Sequence, residues 1–365
     1  MDQSGGMEQL VNAIEQSLGR AVQTPVREAF LRMPRHLFVE HYYQQRGNSL
    51  TWDLLPATME QVYADQPLVT FLDQRGMPTS SSSQPSVMAV QLEALDVAKG
   101  HHLLEIGAGT GYNAALMGEL VGPRGDVISV DIDADLVQRA REHIASVGST
   151  NIQIVQGDGS IGYTTHAPYD RLLATCSVRS LPHAWVDQLK PHGLLVCNLI
   201  TSLTSLFPCV EKQEQGDLEG RLLEIDALYM PLLYQGRQPA KRLLTWHTYD
   251  ELPHTPIHPA EPFDLLLKNP AYSLLLETCL PGVTRRYRSQ GDEVQLWLFA
   301  HESAVQIKPD ALVLYGNVAW LEQQITQSIA IYNKFGRPRI ADYHVRIQER
   351  QIMVQIADQC VHIAL

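Results

Sequence analysis

Between residues 79 and 230 the chain alternates short runs rich in Val, Ile and Leu with stretches of helical spacing, and this alternation constrains the fold most. The apolar runs are HLLEIG (102–107), DVISVDI (126–132), IQIVQGD (152–158), RLLATCS (171–177) and LLVCNLI (194–200). Helical spacing fills Tyr112–Val121, Ala134–Val147 and Pro182–Leu189. Strands that are apolar on both faces need cover on both faces, and a helix of about ten residues between parallel strands supplies it. The expected fold class is therefore α/β, with a doubly wound, mostly parallel sheet over residues 79–234.

Two further zones flank this core. Residues 1–78 read as an N-terminal helical cap: MEQLVNAIEQSL places Leu10, Ile14 and Leu18 on one stripe, and a second helix is expected from Pro25 to about Met33. Residues 235–365 read as a C-terminal α+β accessory domain for peptide recognition or dimer contact. Its expected parts are a Pro- and His-rich loop (252–262), an apolar helix over Asp264–Leu280, and strands at 294–300 and 311–316. An amphipathic helix carrying Val318, Leu321, Ile325, Ile329 and Tyr332 follows, then a closing hairpin that turns at Glu349–Arg350.

Charge and cysteine usage exclude several classes of function. A net charge of −12 argues against a nucleic acid as partner, because gripping a polyanion calls for a basic surface. The five cysteines are scattered without a Cys-x-x-Cys pair, so neither a disulfide framework nor a structural zinc site is expected. His247, His254 and His258 lack an acidic or cysteine partner nearby and read as a solvated loop, so no metal is expected. Cys176 has no assignable activating histidine. The chain shows no secretory start and no apolar run of ~20 residues, which points to a cytoplasmic protein without a membrane partner.

The segment LLEIGAGTG (103–111) carries the first chemical signal. Gly107, Gly109 and Gly111 follow a strand and open a helix, where glycine permits a sharp turn and close approach of a ligand. A dinucleotide fingerprint would place its third glycine at 112, which is Tyr112 here; the glycine at 111 favours S-adenosylmethionine (SAM), which has no pyrophosphate. Acids mark successive strands: Glu105 before the loop, Asp131 where ribose hydroxyls can be held, and Asp158 within Gly157-Asp158-Gly159 where an adenine amino group can be met. The expected cofactor residues are Glu105, Gly107, Ala108, Gly109, Gly111, Tyr112, Asp131, Ile132, Gly157, Asp158, Gly159 and Thr175. Together they mark a Rossmann-like class I SAM methyltransferase core.

The acceptor is less directly written. The segment Ala174-Thr175-Cys176-Ser177 occupies the place where amino-methylating DNA enzymes carry an Asn/Asp-Pro-Pro-Tyr-like motif, and Ala167-Pro168-Tyr169 reads as a turn before the strand. A carboxylate with pKa around 4 is ionised at neutral pH and needs orientation and desolvation rather than a base. The segment PTSSSSQPS (Pro78–Ser86) is either a flexible linker or a loop of hydroxyl donors suited to such a carboxylate.

These residues resemble the protein-L-isoaspartate (D-aspartate) O-methyltransferases over roughly residues 25–200. Ser81-Ser82-Ser83-Gln84-Pro85 is similar to the family's Thr-Ile-Ser-x-Pro, which implies an active-site serine at Ser83 with Ser81 and Ser82 beside it. Pro34–Val39, the glycine loop, Asp131, Gly157-Asp158-Gly159, Ala167-Pro168-Tyr169-Asp170 and Gln188-Leu189-Lys190-Pro191 match in order. Two positions depart: Thr175-Cys176-Ser177-Val178-Arg179 stands where the family has an Ala-rich loop, and Pro191-His192-Gly193 stands for Pro-Gly-Gly. With these departures the chain resembles a divergent branch that tailors ribosomally made, ATP-grasp-crosslinked peptides and carries an extra C-terminal domain. The resemblance implies esterification of an aspartyl side chain, followed by closure to an aspartimide. Repair of isoaspartyl residues in damaged proteins and a peptide-binding protein without catalysis are the alternatives. A dinucleotide oxidoreductase is disfavoured by Tyr112. The implied partner is a peptide or protein bearing aspartate or isoaspartate; the oligomeric state is left open.

Overall fold

The Val/Ile/Leu runs form the strands of one central sheet. In the computed structural model, which describes residues 3–47, 51–233, 252–259, 262–290, 293–348, 351–356 and 359–363, the chain divides into two units. One comprises Met1–Asn198 with Phe207–Arg237; the other comprises Leu199–Leu206 with Gln238–Leu365. The expected boundary at 234/235, His247 and the turn at Glu349–Arg350 lie outside the described residues.

The first unit begins with α1 (Gln3–Leu18) and α2 (Thr24–Arg32). Leu10 and Ile14 of the expected stripe are fully buried, as is Phe30 of α2. Beyond these helices the segment holds strands β1 (His41–Gln45) and β2 (Trp52–Pro56), the short α3 (Met59–Val62), and strands β3 (Leu68–Leu72) and β4 (Pro78–Ser82). The four strands form an antiparallel sheet in the order β2-β1-β3-β4. This sheet adds to the helical reading of residues 1–78. It also corrects the reading of PTSSSSQPS as a loop, because Pro78–Ser82 pairs with β3 through Leu68↔Ser82 and Val69↔Ser81. Serine has little intrinsic strand preference, so pairing and burial override local sequence here.

Next come α4 (Pro85–Ala94), β5 (His102–Ile106), α5 (Tyr112–Val121), β6 (Asp126–Asp131), α6 (Ala134–Ser146) and β7 (Ile152–Gln156). They are followed by β8 (Tyr169–Val178), α7 (His183–Asp187) and β9 (Leu189–Ile200), then, after the two-residue β10 (Ser205–Leu206) that belongs to the other unit, by β11 (Pro208–Lys212) and β12 (Leu218–Leu222). The sheet of this unit runs β12-β11-β9-β8-β5-β6-β7. Strand β5 pairs in parallel with both β6 and β8, and β6 with β7, whereas β11 is antiparallel to β9 and β12. The chain thus leaves β5 in one direction through β6 and β7, then returns to β8 on its other side. Such a reversal opens a crevice at the carboxyl ends of the strands, where α/β sheets bind ligands. Asp133 caps α6 by accepting from the backbone of Asp135 and Leu136, fixing that helix just after β6.

The second unit contains β13 (His254–Ile257), α8 (Phe263–Lys268), α9 (Pro270–Cys279), β14 (Thr284–Gln290), β15 (Glu293–Ala300), β16 (Ser303–Ile307) and β17 (Leu312–Tyr315). It ends with α10 (Val318–Lys334), β18 (His344–Gln348), β19 (Gln351–Ile356) and β20 (Gln359–Ile363). Strands β13-β17-β16-β15-β14 form an antiparallel sheet. Three expectations change. Part of the Pro/His loop is strand β13, and the helix expected over Asp264–Leu280 is two helices. Pro270 has no N–H and disfavours helical backbone at Asn269, which instead caps α9. The closing hairpin is three-stranded, with β20 added to β19.

Candidate active site

At the end of β5 the chain turns through Gly107, whose φ is +100°; a Cβ there would lie 2.7 Å from Thr175 Oγ1. Only glycine suits that turn. Thr175, on β8, donates from the same hydroxyl to the carbonyls of Gly107 (2.7 Å) and Ile106 (3.1 Å), stitching β5 to β8 where the sheet order reverses. Gly109 faces strand β4 so closely that a Cβ would stand 3.3 Å from Ser80 Oγ. Between the glycine loop and the serine strand lies a cavity of about 410 Å³.

Its wall brings together Ser81, Ser82, Ser83, Glu105, Gly107, Ala108, Gly109, Tyr112, Asp131, Ile132, Gly159 and Thr175. Three expected residues lie outside the wall. Gly111 precedes α5 and packs toward Ala140. Gly157 donates its N–H to the Asp131 carbonyl, and Asp158 accepts from the backbone (2.9 Å) and hydroxyl (2.6 Å) of Ser160.

The acids differ in environment. Asp131 accepts from the backbone N–H of Gly109 (2.9 Å) and of Asp133 (3.2 Å), so it ties the glycine loop to the end of β6 while facing the cavity. Burial pushes its carboxyl above the usual range. Glu105 is fully buried and accepts from Asn113 Nδ2 (2.8 Å) and Ser129 Oγ (2.5 Å). Burial dominates over these bonds and pushes Glu105 up to about 7. Asn113, on the first turn of α5, lines the cavity, and its Oδ1 is buried without a hydrogen-bond partner. Tyr112 is held as a core residue, its hydroxyl 3.4 Å from the Met33 carbonyl and its ring packed against Phe30 and Phe38.

The serine strand is anchored from below. Arg35 is fully buried and donates to Ser82 Oγ (3.1 and 3.2 Å) and to the carbonyls of Ser82 (3.3 Å) and Ser83 (3.0 Å). It also donates to the carbonyls of Val62, Ala64 and Gln66. Burial lowers the guanidinium to about 10, which leaves it charged at neutral pH. In the sequence Arg35 stands out only as part of Pro34–Val39, and nothing there marks Asn113 as a wall residue. The segment Asp226–Leu233 also lines the cavity, and no motif in the sequence pointed to it. That segment is held to β8 by bonds from Ser177 N to the Met230 carbonyl and from Leu232 N to the Ser177 carbonyl, a pairing with no local sequence signal.

A sequence model of the family described as Protein-L-isoaspartate(D-aspartate) O-methyltransferase matches residues 7–236. The chain belongs to that family. This protein-L-isoaspartate O-methyltransferase family chain is therefore a SAM-dependent methyltransferase. It is 34% identical over 218 residues to protein-L-isoaspartate O-methyltransferase 2 of Archaeoglobus fulgidus, covering 60% of this chain and 89% of the relative. It is also 34% identical over 224 residues to the Methanosarcina mazei enzyme, covering 61% and 82%. Among solved structures, a protein-L-isoaspartate O-methyltransferase aligns with 96% of this chain and 99% of its own at a TM-score of 0.57 and 23% identity, a likeness of fold. A Plasmodium falciparum homologue in complex with S-adenosyl-L-homocysteine aligns with 64% of this chain and 99% of its own, at a TM-score of 0.50 and 17% identity.

The wall residues fit the family's cofactor. Gly107 and Gly109 bring bare backbone to the cavity wall, Asp131 offers acceptor oxygens for a ribose diol, and the orphaned Asn113 Oδ1 is an acceptor suited to an ammonium group. Among the described residues no helix is long and apolar enough to cross a membrane.

Proposed function

We propose that the protein works in the cytoplasm and esterifies the side-chain carboxylate of an aspartyl residue in a ribosomally made peptide, leading to an aspartimide. The observation that carries this reading is that the glycine loop and Ser81–Ser83 line one and the same cavity. When bound, SAM supplies a methyl group on a sulfonium. Ser83 orients the acceptor carboxylate, which is already ionised and needs no base. Cys176 also lines the cavity, but burial pushes its thiol far up, so it stays protonated and serves as wall. Arg35 fixes the strand from which the hydroxyls project and places a positive charge behind them.

Once the ester has formed, the backbone nitrogen of the next peptide residue attacks its carbonyl carbon. The N–C bond forms as the C–O bond to the methoxy group breaks, and the amide proton leaves with it as methanol. Support for a tailored peptide comes from Thr175–Arg179, which replace the family's Ala-rich loop. Ser177 there holds Asp226–Leu233 as part of the wall. The second reading, repair of isoaspartyl residues, is favoured by the family itself. Incubation with labelled SAM and matched aspartyl and isoaspartyl peptides separates the two. The proposal expects base-labile label on the aspartyl peptide and a product lighter by one water. Label on unrelated isoaspartyl peptides alone would establish repair, and a base-stable product would refute carboxyl transfer altogether.

A further inference from the structure

Gln84 follows Ser83 directly, lines the same cavity and stands at the N-cap of α4. Its side chain makes no capping bond to that helix. Asp65 caps α4 from outside instead: its Oδ1 accepts from the backbone N–H of Ser86 at 2.7 Å. Its Oδ2 accepts from Gln84 Nε2 at 3.0 Å, and the same amide nitrogen donates its other proton to Ser86 Oγ at 3.1 Å. These partners fix which way the amide faces. A carboxylate at neutral pH only accepts, so an amide turned over would set Oε1 against Oδ2, two acceptors in contact. The nitrogen is therefore committed to the protein, and Oε1 is the polar atom of Gln84 left over. Among the described residues nothing donates to Oε1, and it is not one of the buried atoms left without a partner, so it is open to a ligand. An acceptor beside the carboxylate holder calls for a donor on the same substrate. In an aspartyl or isoaspartyl peptide the donors nearest the acceptor carboxylate are two backbone N–H groups, that of the acceptor residue and that of the residue after it.

We propose that Gln84 is a substrate-binding residue whose amide oxygen accepts a backbone N–H of the peptide beside the acceptor carboxylate, and that Asp65 is the positioning residue that holds the amide in that sense. This rests on Ser83 as the carboxylate holder. Such a contact reads the main chain, so it separates a peptide from a free dicarboxylic acid whatever side chains flank the acceptor.

The experiment uses the full chain and the better accepted of the matched aspartyl and isoaspartyl peptides, with versions N-methylated at the acceptor residue, at the residue after it, or at a distant residue. Methyl ester formation, SAM affinity by titration calorimetry and melting temperature are measured for the unaltered protein, Gln84→Leu, Asp65→Asn and the double variant. Gln84→Leu is expected to lower kcat/KM for the unmodified peptide about tenfold with SAM affinity within about twofold, the size of one lost hydrogen bond. N-methylation at one of the two near positions is expected to cost about tenfold in the unaltered protein and less than about twofold in Gln84→Leu, and at the distant position to cost neither protein anything. Asp65→Asn keeps an oxygen for the Ser86 N–H but lets the Gln84 amide turn over. It is expected to lose activity several-fold, with little further loss when Gln84→Leu is added. A near-position N-methyl group that costs both proteins the same, or costs the unaltered protein nothing, would overturn the proposal, as would full activity in Gln84→Leu. Full activity in Asp65→Asn would overturn the part given to Asp65. A protein that forms no base-labile ester on either peptide would overturn the carboxylate reading itself, and this proposal with it.

Discussion

Glu105 shows how one buried carboxyl can couple the cofactor pocket to stability. Its proton is held more tightly in the folded state, with a pKa of about 7, than in the unfolded chain, where 4.5 is usual. Between those values the native state binds more protons, so stability falls as pH rises through this window and levels off above it. Glu105→Gln removes that loss. The variant is expected to gain on the order of 3 kcal/mol relative to the unaltered protein between pH 5 and pH 8, read from urea midpoints at the two pH values. An equal difference at both would show that Glu105 is not the titrating group. That Gly107, Gly109, Glu105 and Asp131 share one wall was legible in sequence because their signal is local, spacing within a loop or an acid on a strand, whereas the same signals at Gly111, Gly157 and Asp158 mark residues outside it. The wall segment Asp226–Leu233 was not legible, because only backbone bonds to Ser177, some fifty residues earlier in the chain, bring it there.

At the level of the element, β4 shows where pattern reading stops. Strands β5 to β8 were evident because their residues are apolar and β-branched, whereas Pro78–Ser82 is a strand only through pairing with β3 and the anchoring by Arg35. The Asn269-Pro270 break between α8 and α9 was written in the sequence, but the leucine-rich stretches on both sides of it read as one helix. Arg35→Met leaves the carbonyls under β4 without donors in a buried site. It is expected to destabilise the protein by about 3 kcal/mol and to weaken peptide methylation more than SAM binding. Thermal melting and separate titrations with SAM and peptide check this. A variant with unaltered melting would show that β4 does not depend on Arg35.

Across the whole molecule, the net charge of −12 sets the approach of the substrate. An acidic peptide is expected to be repelled at long range, so salt should speed its capture. Raising ionic strength from ~10 mM to ~150 mM shortens the Debye length from about 30 to about 8 Å, and kcat/KM is expected to rise roughly two- to fivefold. A fall in kcat/KM would place a basic approach surface on the protein instead. The close approach of Gly109 to Ser80 has a consequence for inhibitor chemistry. On the proposed reading donor and acceptor meet in the one cavity lined by the glycine loop and Ser81–Ser83, so a single compound joining an adenosyl thioether to an aspartyl carboxylate is expected to fill it. The second half of such a tethered ligand binds at an effective concentration in the millimolar range, so it is expected to exceed the affinity of either half by ~100-fold. Competition against both SAM and peptide in steady-state assays would register that gain as inhibition shared by the two substrates.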